Sequence, residues 1–160
     1  IFGVQIDTVS DMVSFGVTPA VILFCAGRYN IIPVFGNGKL WFICTSLILM
    51  LYIICAGIRL AYFNTLALTQ KEEPKEKIFV GLPVPFSAIV YPVLFLLSAT
   101  LPIPPCVSAV VLVAVYFITA LAFIGNFKMK KPSGLVYLMY PLYEIILVVF
   151  YVIWGGRLNA

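Results

Sequence analysis

The feature that most constrains this chain is a succession of apolar runs. About 20 apolar residues, rising 1.5 Å each, cross a hydrocarbon core of about 30 Å. Five segments have that length and character, at approximately 1–26, 40–67, 83–100, 105–125 and 134–155. The composition agrees, with 63% of the 160 residues hydrophobic and 10% charged, where soluble domains carry about 25% charged residues. A water-soluble domain is excluded. The runs continue along the whole chain, so a cleaved secretory signal does not account for them. The expected fold is an all-α, polytopic transmembrane bundle.

Each break between runs has a local cause. Residues 28–39 include Asn30, Pro33, Gly36, Asn37 and Gly38, and residues 101–105 carry three prolines that cannot continue a helix. The stretch Lys71–Lys77 mixes both signs of charge, and Lys128, Lys130 and Lys131 lie together between the fourth and fifth runs. Alternating spans put the loops at 68–82 and 126–133 on one side, and that side carries six lysines. The positive-inside rule assigns it to the cytosol. The net charge of +4 is therefore a topology signal, and its dispersal over loops offers nucleic acid no patch. Cys25, Cys44, Cys55 and Cys106 lie in apolar stretches without metal-ligand spacing, and histidine is absent. They read as small packing residues.

An ionisable group inside a span costs about 2.5–3.5 kcal/mol on insertion scales, so each one asks for a partner or a function. There are four: Asp7, Asp11, Arg59 and Glu144. Helix rise places Asp11 about 24 Å across the core from the non-cytosolic side, with Arg59 likewise near the cytosolic boundary and Asp7 one turn nearer the cytosol. Glu144 falls nearer the midplane and receives no role. Gly3, Asp7, Ser10, Asp11, Ser14 and Thr18 recur at intervals of three and four, which predicts one polar stripe facing other helices, water or an ion. Two carboxylates one turn apart repel each other, and two readings relieve that. The pair lies at a hydrated helix start and pairs with Arg59, or it holds a cation; oxygen-only ligands favour Mg²⁺ or Mn²⁺.

The stretch FGVQIDTVSDMVSFGVTPA, residues 2–20, resembles the second half of the CDP-alcohol phosphatidyltransferase signature, D-x2-D-G-x2-A-R followed by G-x3-D-x3-D. Gly3, Asp7 and Asp11 match the second half. GIRLAYFN at 57–64 resembles the RLARFN block of the bacterial and archaeal phosphatidylserine synthase branch, and FVGLPVPFSA at 79–88 its F-x-GLP-x-P block. These blocks follow one another in order between residues 2 and 88 of the 160, and the combination is what makes the resemblance specific. Tyr62 stands where the family pattern has arginine, and the D-x2-D-G-x2-A-R half is absent.

The resemblance implies an enzyme that moves a phosphatidyl group from CDP-diacylglycerol to L-serine with release of CMP, facing the cytosol of a bacterial or archaeal cell membrane. It implies that residues 1–160 are a single transmembrane catalytic domain lacking its N-terminal spans, a reading to which the start at Ile1 inside a patterned segment also points; such a piece alone is expected to be inactive. It implies a homodimer and a metal cofactor, Mg²⁺ or Mn²⁺. Asp7 would be a metal ligand, Asp11 a ligand and the catalytic base, and Gly3 would let the nucleotide approach the helix backbone. Arg59 would bind the phosphates of the CDP-lipid or the serine carboxylate, its planar fork suiting oxyanions. One alternative is a sister transferase using glycerol 3-phosphate or inositol. A second is a small transporter or channel subunit, which calls for polar groups through the whole membrane depth; here they concentrate at one end.

Overall fold

The computed structural model describes residues 2–28, 38–69, 78–100, 104–125, 128–130, 142–143, 145–146, 148–150 and 152–153. The first helical stretch comprises α1 (Phe2–Asp11), a π-helical turn (Met12–Val17) and α2 (Thr18–Arg28). It is followed by α3 (Lys39–Thr69), β1 (Ile78–Val80), a 3₁₀ turn (Val84–Phe86), α4 (Ser87–Thr100), α5 (Pro105–Ile124) and β2 (Lys128–Lys130). Among the described residues three stretches are long and apolar enough to cross a membrane: Phe2–Arg28, Lys39–Thr65 and Pro105–Ile124, with mean hydropathies of 1.7, 2.3 and 2.6. Their outward faces carry many large apolar side chains, including Leu47, Met50, Ile54 and Ile118, as suits helices solvated by lipid. The chain is an integral membrane protein of helical-bundle class.

The third expected span, 83–100, is shorter than its sequence run. Pro83 caps and Pro85 occupies a 3₁₀ turn, so the α-helix starts only at Ser87, and the apolar helical stretch is Val84–Ser98. Of the fifth expected span, the described residues between 142 and 153 are helical, and Tyr143 Oη donates to the Ile89 carbonyl of α4 at 2.7 Å. The rest of that span, including Glu144, and the Lys71–Lys77 segment lie outside the described residues.

The π-turn follows from Pro19. Proline has no N–H to give the carbonyl four residues back, and its ring crowds that carbonyl, here Phe15. The ladder widens instead, with the Thr18 N–H bonding Val13 C=O five residues back. The Phe15 carbonyl, left without the donor four residues on that an α-helix supplies, accepts from Tyr52 Oη of α3 at 2.6 Å and Ser87 Oγ of α4 at 3.1 Å. At the same turn Gly16 is buried; a Cβ there would lie 3.2 Å from Met12 Sδ and 3.4 Å from Ala56 Cβ. Small residues let the two helix backbones approach, the main source of helix association where lipid removes the hydrophobic driving force.

The core is aromatic. Tyr91 and Tyr116 stack with ring centroids 4.1 Å apart, Tyr52 meets Tyr116 edge-on at 5.1 Å, and Phe123 closes the cluster 5.6 Å from Tyr52. All three tyrosines are buried, and each hydroxyl is satisfied: Tyr52 on Phe15 C=O, Tyr116 on Pro19 C=O at 2.6 Å, and Tyr91 with Thr119 Oγ1 at 2.6 Å. A buried hydroxyl left unpaired in a bilayer is costly, so these bonds fix how α2, α3, α4 and α5 assemble.

A short ladder joins the two lysine-bearing loops. Strand β1 pairs antiparallel with β2, Phe79 opposite Met129. The loops at 68–82 and 126–133 therefore meet at the same end of the bundle, as the alternation of spans requires.

Candidate functional site

Strand β1 ends at a corner that defines one side of the site. Gly81 has φ +78°, and a Cβ there would lie 2.6 Å from the Gly125 carbonyl oxygen and 3.0 Å from Arg59 Cζ. Left-handed backbone and a close approach to two other elements both require glycine. The Leu82 N–H that follows donates to Ala122 C=O at the end of α5, 3.4 Å away.

Beneath this corner lies Arg59, 5% exposed. Its Nε donates to Leu82 C=O at 3.2 Å, and Cζ sits 4.1 Å from the Phe63 ring centroid and 5.9 Å from that of Tyr62. An arginine face on an aromatic ring is favourable, the more so when desolvated. Its Nη2 is buried without a hydrogen-bond partner among the described residues, as is Oδ1 of Asn64 further along α3. Buried polar atoms of native proteins are nearly always paired, so an unpaired pair on one helix points to something that binds there.

The carboxylates come from the facing helix. α1–α2 and α3 run antiparallel: Phe24 is near Phe42, Phe15 meets Tyr52, and Met12 lies against Gly57. That course carries Asp11 to the level of Arg59. Asp11 is half-buried, and Asp7, one helical turn earlier, is exposed. Gly3 is exposed too, and none of the described residues lies within 4 Å of where its Cβ would be, leaving the backbone open to approach. The single stripe expected from the spacing is interrupted, because the π-turn inserts a residue after Asp11. Thr18, beyond the turn, is thereby offset by about 100° from where an unbroken α-helix would put it relative to Asp7 and Asp11, and Ser14, inside the turn, by part of that. Nor, among the described residues, does Arg59 pair with either aspartate; its Nε engages the Leu82 carbonyl instead.

Asp7 and Asp11 form a two-carboxylate, oxygen-only set, and among the described residues no cluster of three or more metal-ligating side chains occurs. The pair suits a hard divalent cation as part of a ligand set, with further oxygens required to reach six-coordination. The sequence assigned no role to Tyr52, nor to Ser87 and Phe63, although the last two lie within the blocks at 79–88 and 57–64. Pro19 was the available signal for the first two, since a proline inside a span leaves a carbonyl that some hydroxyl must satisfy.

These observations define a class: a helical membrane protein with a carboxylate pair and a buried, incompletely satisfied arginine near one end of its bundle. No protein-family model matches the chain. Within the class, it is similar to the CDP-diacylglycerol–serine O-phosphatidyltransferases, the likeness its three motif blocks carry. It is 36% identical over 88 residues to that of Saccharomyces cerevisiae, covering 53% of this chain and 28% of the relative. It is 30% identical over 87 residues to that of Bacillus subtilis, covering 54% and 40%, and 31% identical over 88 residues to that of Methanocaldococcus jannaschii, covering 55% and 33%. The match thus spans well under two thirds of these relatives.

Proposed function

We propose that the complete protein, of which residues 1–160 form part of one transmembrane catalytic domain, transfers a phosphatidyl group from CDP-diacylglycerol to L-serine at the cytosolic face, releasing CMP. The observation that carries this reading is the buried Arg59, its Nη2 without a partner among the described residues, at the level of the Asp7–Asp11 pair. An anionic substrate is what such an arrangement accommodates: the guanidinium fork takes oxyanions, and the carboxylates take the cation that accompanies a pyrophosphate. Relatives named for this reaction support the choice of lipid and acceptor.

In this reading Asp7 and Asp11 hold Mg²⁺ or Mn²⁺, which when bound neutralises pyrophosphate oxygens. The serine hydroxyl oxygen attacks the β-phosphorus, the bond from that phosphorus to the CMP oxygen breaks, and the hydroxyl proton passes to an Asp11 carboxylate oxygen. A hydroxyl is a poor nucleophile at neutral pH, so the base must come within about 3 Å in the reactive complex. Gly3 leaves room for the nucleotide, and Arg59 holds a phosphate or the serine carboxylate. The family resemblance adds a homodimer to this picture.

The test is an acceptor assay. Membranes containing the complete protein, supplied with CDP-diacylglycerol, a divalent cation and equal concentrations of serine, glycerol 3-phosphate or inositol, should yield phosphatidylserine and CMP with serine alone. Product formed only with one of the other alcohols would reassign the acceptor, and no product with any would overturn the transferase reading.

The orientation has its own expected result. Single cysteines replacing Lys130 and Gly38 in a cysteine-free background should differ toward a membrane-impermeant thiol reagent in intact cells, with position 38 labelled and position 130 protected. The reverse pattern would put the aspartates on the non-cytosolic face.

A further inference from the structure

We propose that Tyr52 and Ser87 are positioning residues: by holding the Phe15 carbonyl out of the helical ladder, they maintain the π-turn that aims Asp7 and Asp11. The inference rests on the metal-site reading above and extends it to two residues that touch neither carboxylate. The π-turn begins at Met12, the residue after Asp11, and ends at Val17. Beyond it, α2 is anchored by the fully buried Leu23 and by Tyr116 Oη on Pro19 C=O. One residue more or less in the connecting turn rotates everything before it by about 100° about the helix axis. The direction in which α1 presents its carboxylates is therefore set by this turn. α1 has no buried residue of its own to fix it.

Two observations make the turn a held state. Pro19 removes the donor that an ordinary α-turn would give Phe15 C=O, and two hydroxyls from two other helices converge on that oxygen, at 2.6 and 3.1 Å. Gly16 and Gly57, whose Cβ atoms would press on Met12, leave room for the widened turn against α3. Without the hydroxyls, Phe15 C=O loses both side-chain donors in a site where Pro19 denies it the α-helical one, and the widened turn is free to shift its register, carrying Asp11 with it.

The measurement is Mn²⁺ binding by electron paramagnetic resonance on the complete, purified protein, alongside its thermal midpoint and the metal dependence of turnover. Tyr52→Phe with Ser87→Ala should weaken Mn²⁺ about tenfold, as loss of groups that orient metal ligands commonly does. Turnover should fall at low Mn²⁺ and recover substantially at saturation. Ser87→Thr, which keeps a hydroxyl, should retain wild-type affinity, and the single variants cover the case in which the double variant does not fold. Variants that lose thermal stability yet bind Mn²⁺ like wild type would show that the hydroxyls merely brace the bundle, and the proposal falls. Wild-type protein that binds no Mn²⁺ would instead bring down the metal-site reading, and this proposal with it.

Discussion

Asp11→Asn in the complete protein should lower turnover by about 10²–10⁴-fold, the usual weight of a general base, and added Mg²⁺ or Mn²⁺ should not restore it. Asparagine keeps the shape and one carbonyl oxygen but loses the charge and nearly all basicity. At Asp7 the same change removes charge from the metal site while leaving the proton acceptor, so raising the cation concentration should recover part of the activity. The two positions differ in surroundings as well as in proposed role, Asp11 half-buried and Asp7 exposed. Binding of CDP-diacylglycerol should survive Asp11→Asn better than turnover does. Metal titrations of both variants decide the matter: near wild-type turnover for Asp11→Asn at saturating metal, with Asp7→Asn inactive throughout, would exchange the two roles.

Gly81→Ala should be among the most damaging single-methyl additions in the chain. A left-handed backbone costs a residue with a Cβ about 1–2 kcal/mol. The new carbon would also stand 2.6 Å from the Gly125 carbonyl oxygen, a contact that only backbone movement relieves. That movement displaces Leu82, whose carbonyl holds Arg59 Nε, so oxyanion binding should weaken together with stability. Gly38→Ala is the control, since nothing lies within 4 Å of its Cβ; a surface change of this kind is typically within about 0.5 kcal/mol. Thermal unfolding in detergent and the KM for CDP-diacylglycerol should both worsen for Gly81→Ala and hold for Gly38→Ala. Equal behaviour of the two variants would remove the argument that this corner shapes the Arg59 site.

Much of the architecture was legible because the bilayer imposes lengths and satisfied backbones. The runs at 40–67 and 105–125 became α3 and α5 almost residue for residue, since a long apolar run in lipid has little alternative to helix. The run at 83–100 was less legible: hydropathy does not register that Pro83 and Pro85 postpone the α-helix to Ser87. The polar stripe misled for a related reason. Spacing arguments assume 3.6 residues per turn throughout, and Pro19 breaks that assumption one residue past Asp11.

The sequence by itself determined that the chain lives in a membrane, which loops share a side, and that Asp7, Asp11 and Arg59 fall at one depth, because hydrophobic length and helix rise are one-dimensional quantities. Only the tertiary structure decided what each charge faces. Arg59 is turned toward the Leu82 carbonyl and the Phe63 ring and away from an aspartate, and the Phe15 carbonyl is satisfied by hydroxyls 37 and 72 residues away. Azimuth about a helix axis and the donor that reaches a freed carbonyl depend on how separate helices pack, and no local spacing carries that information.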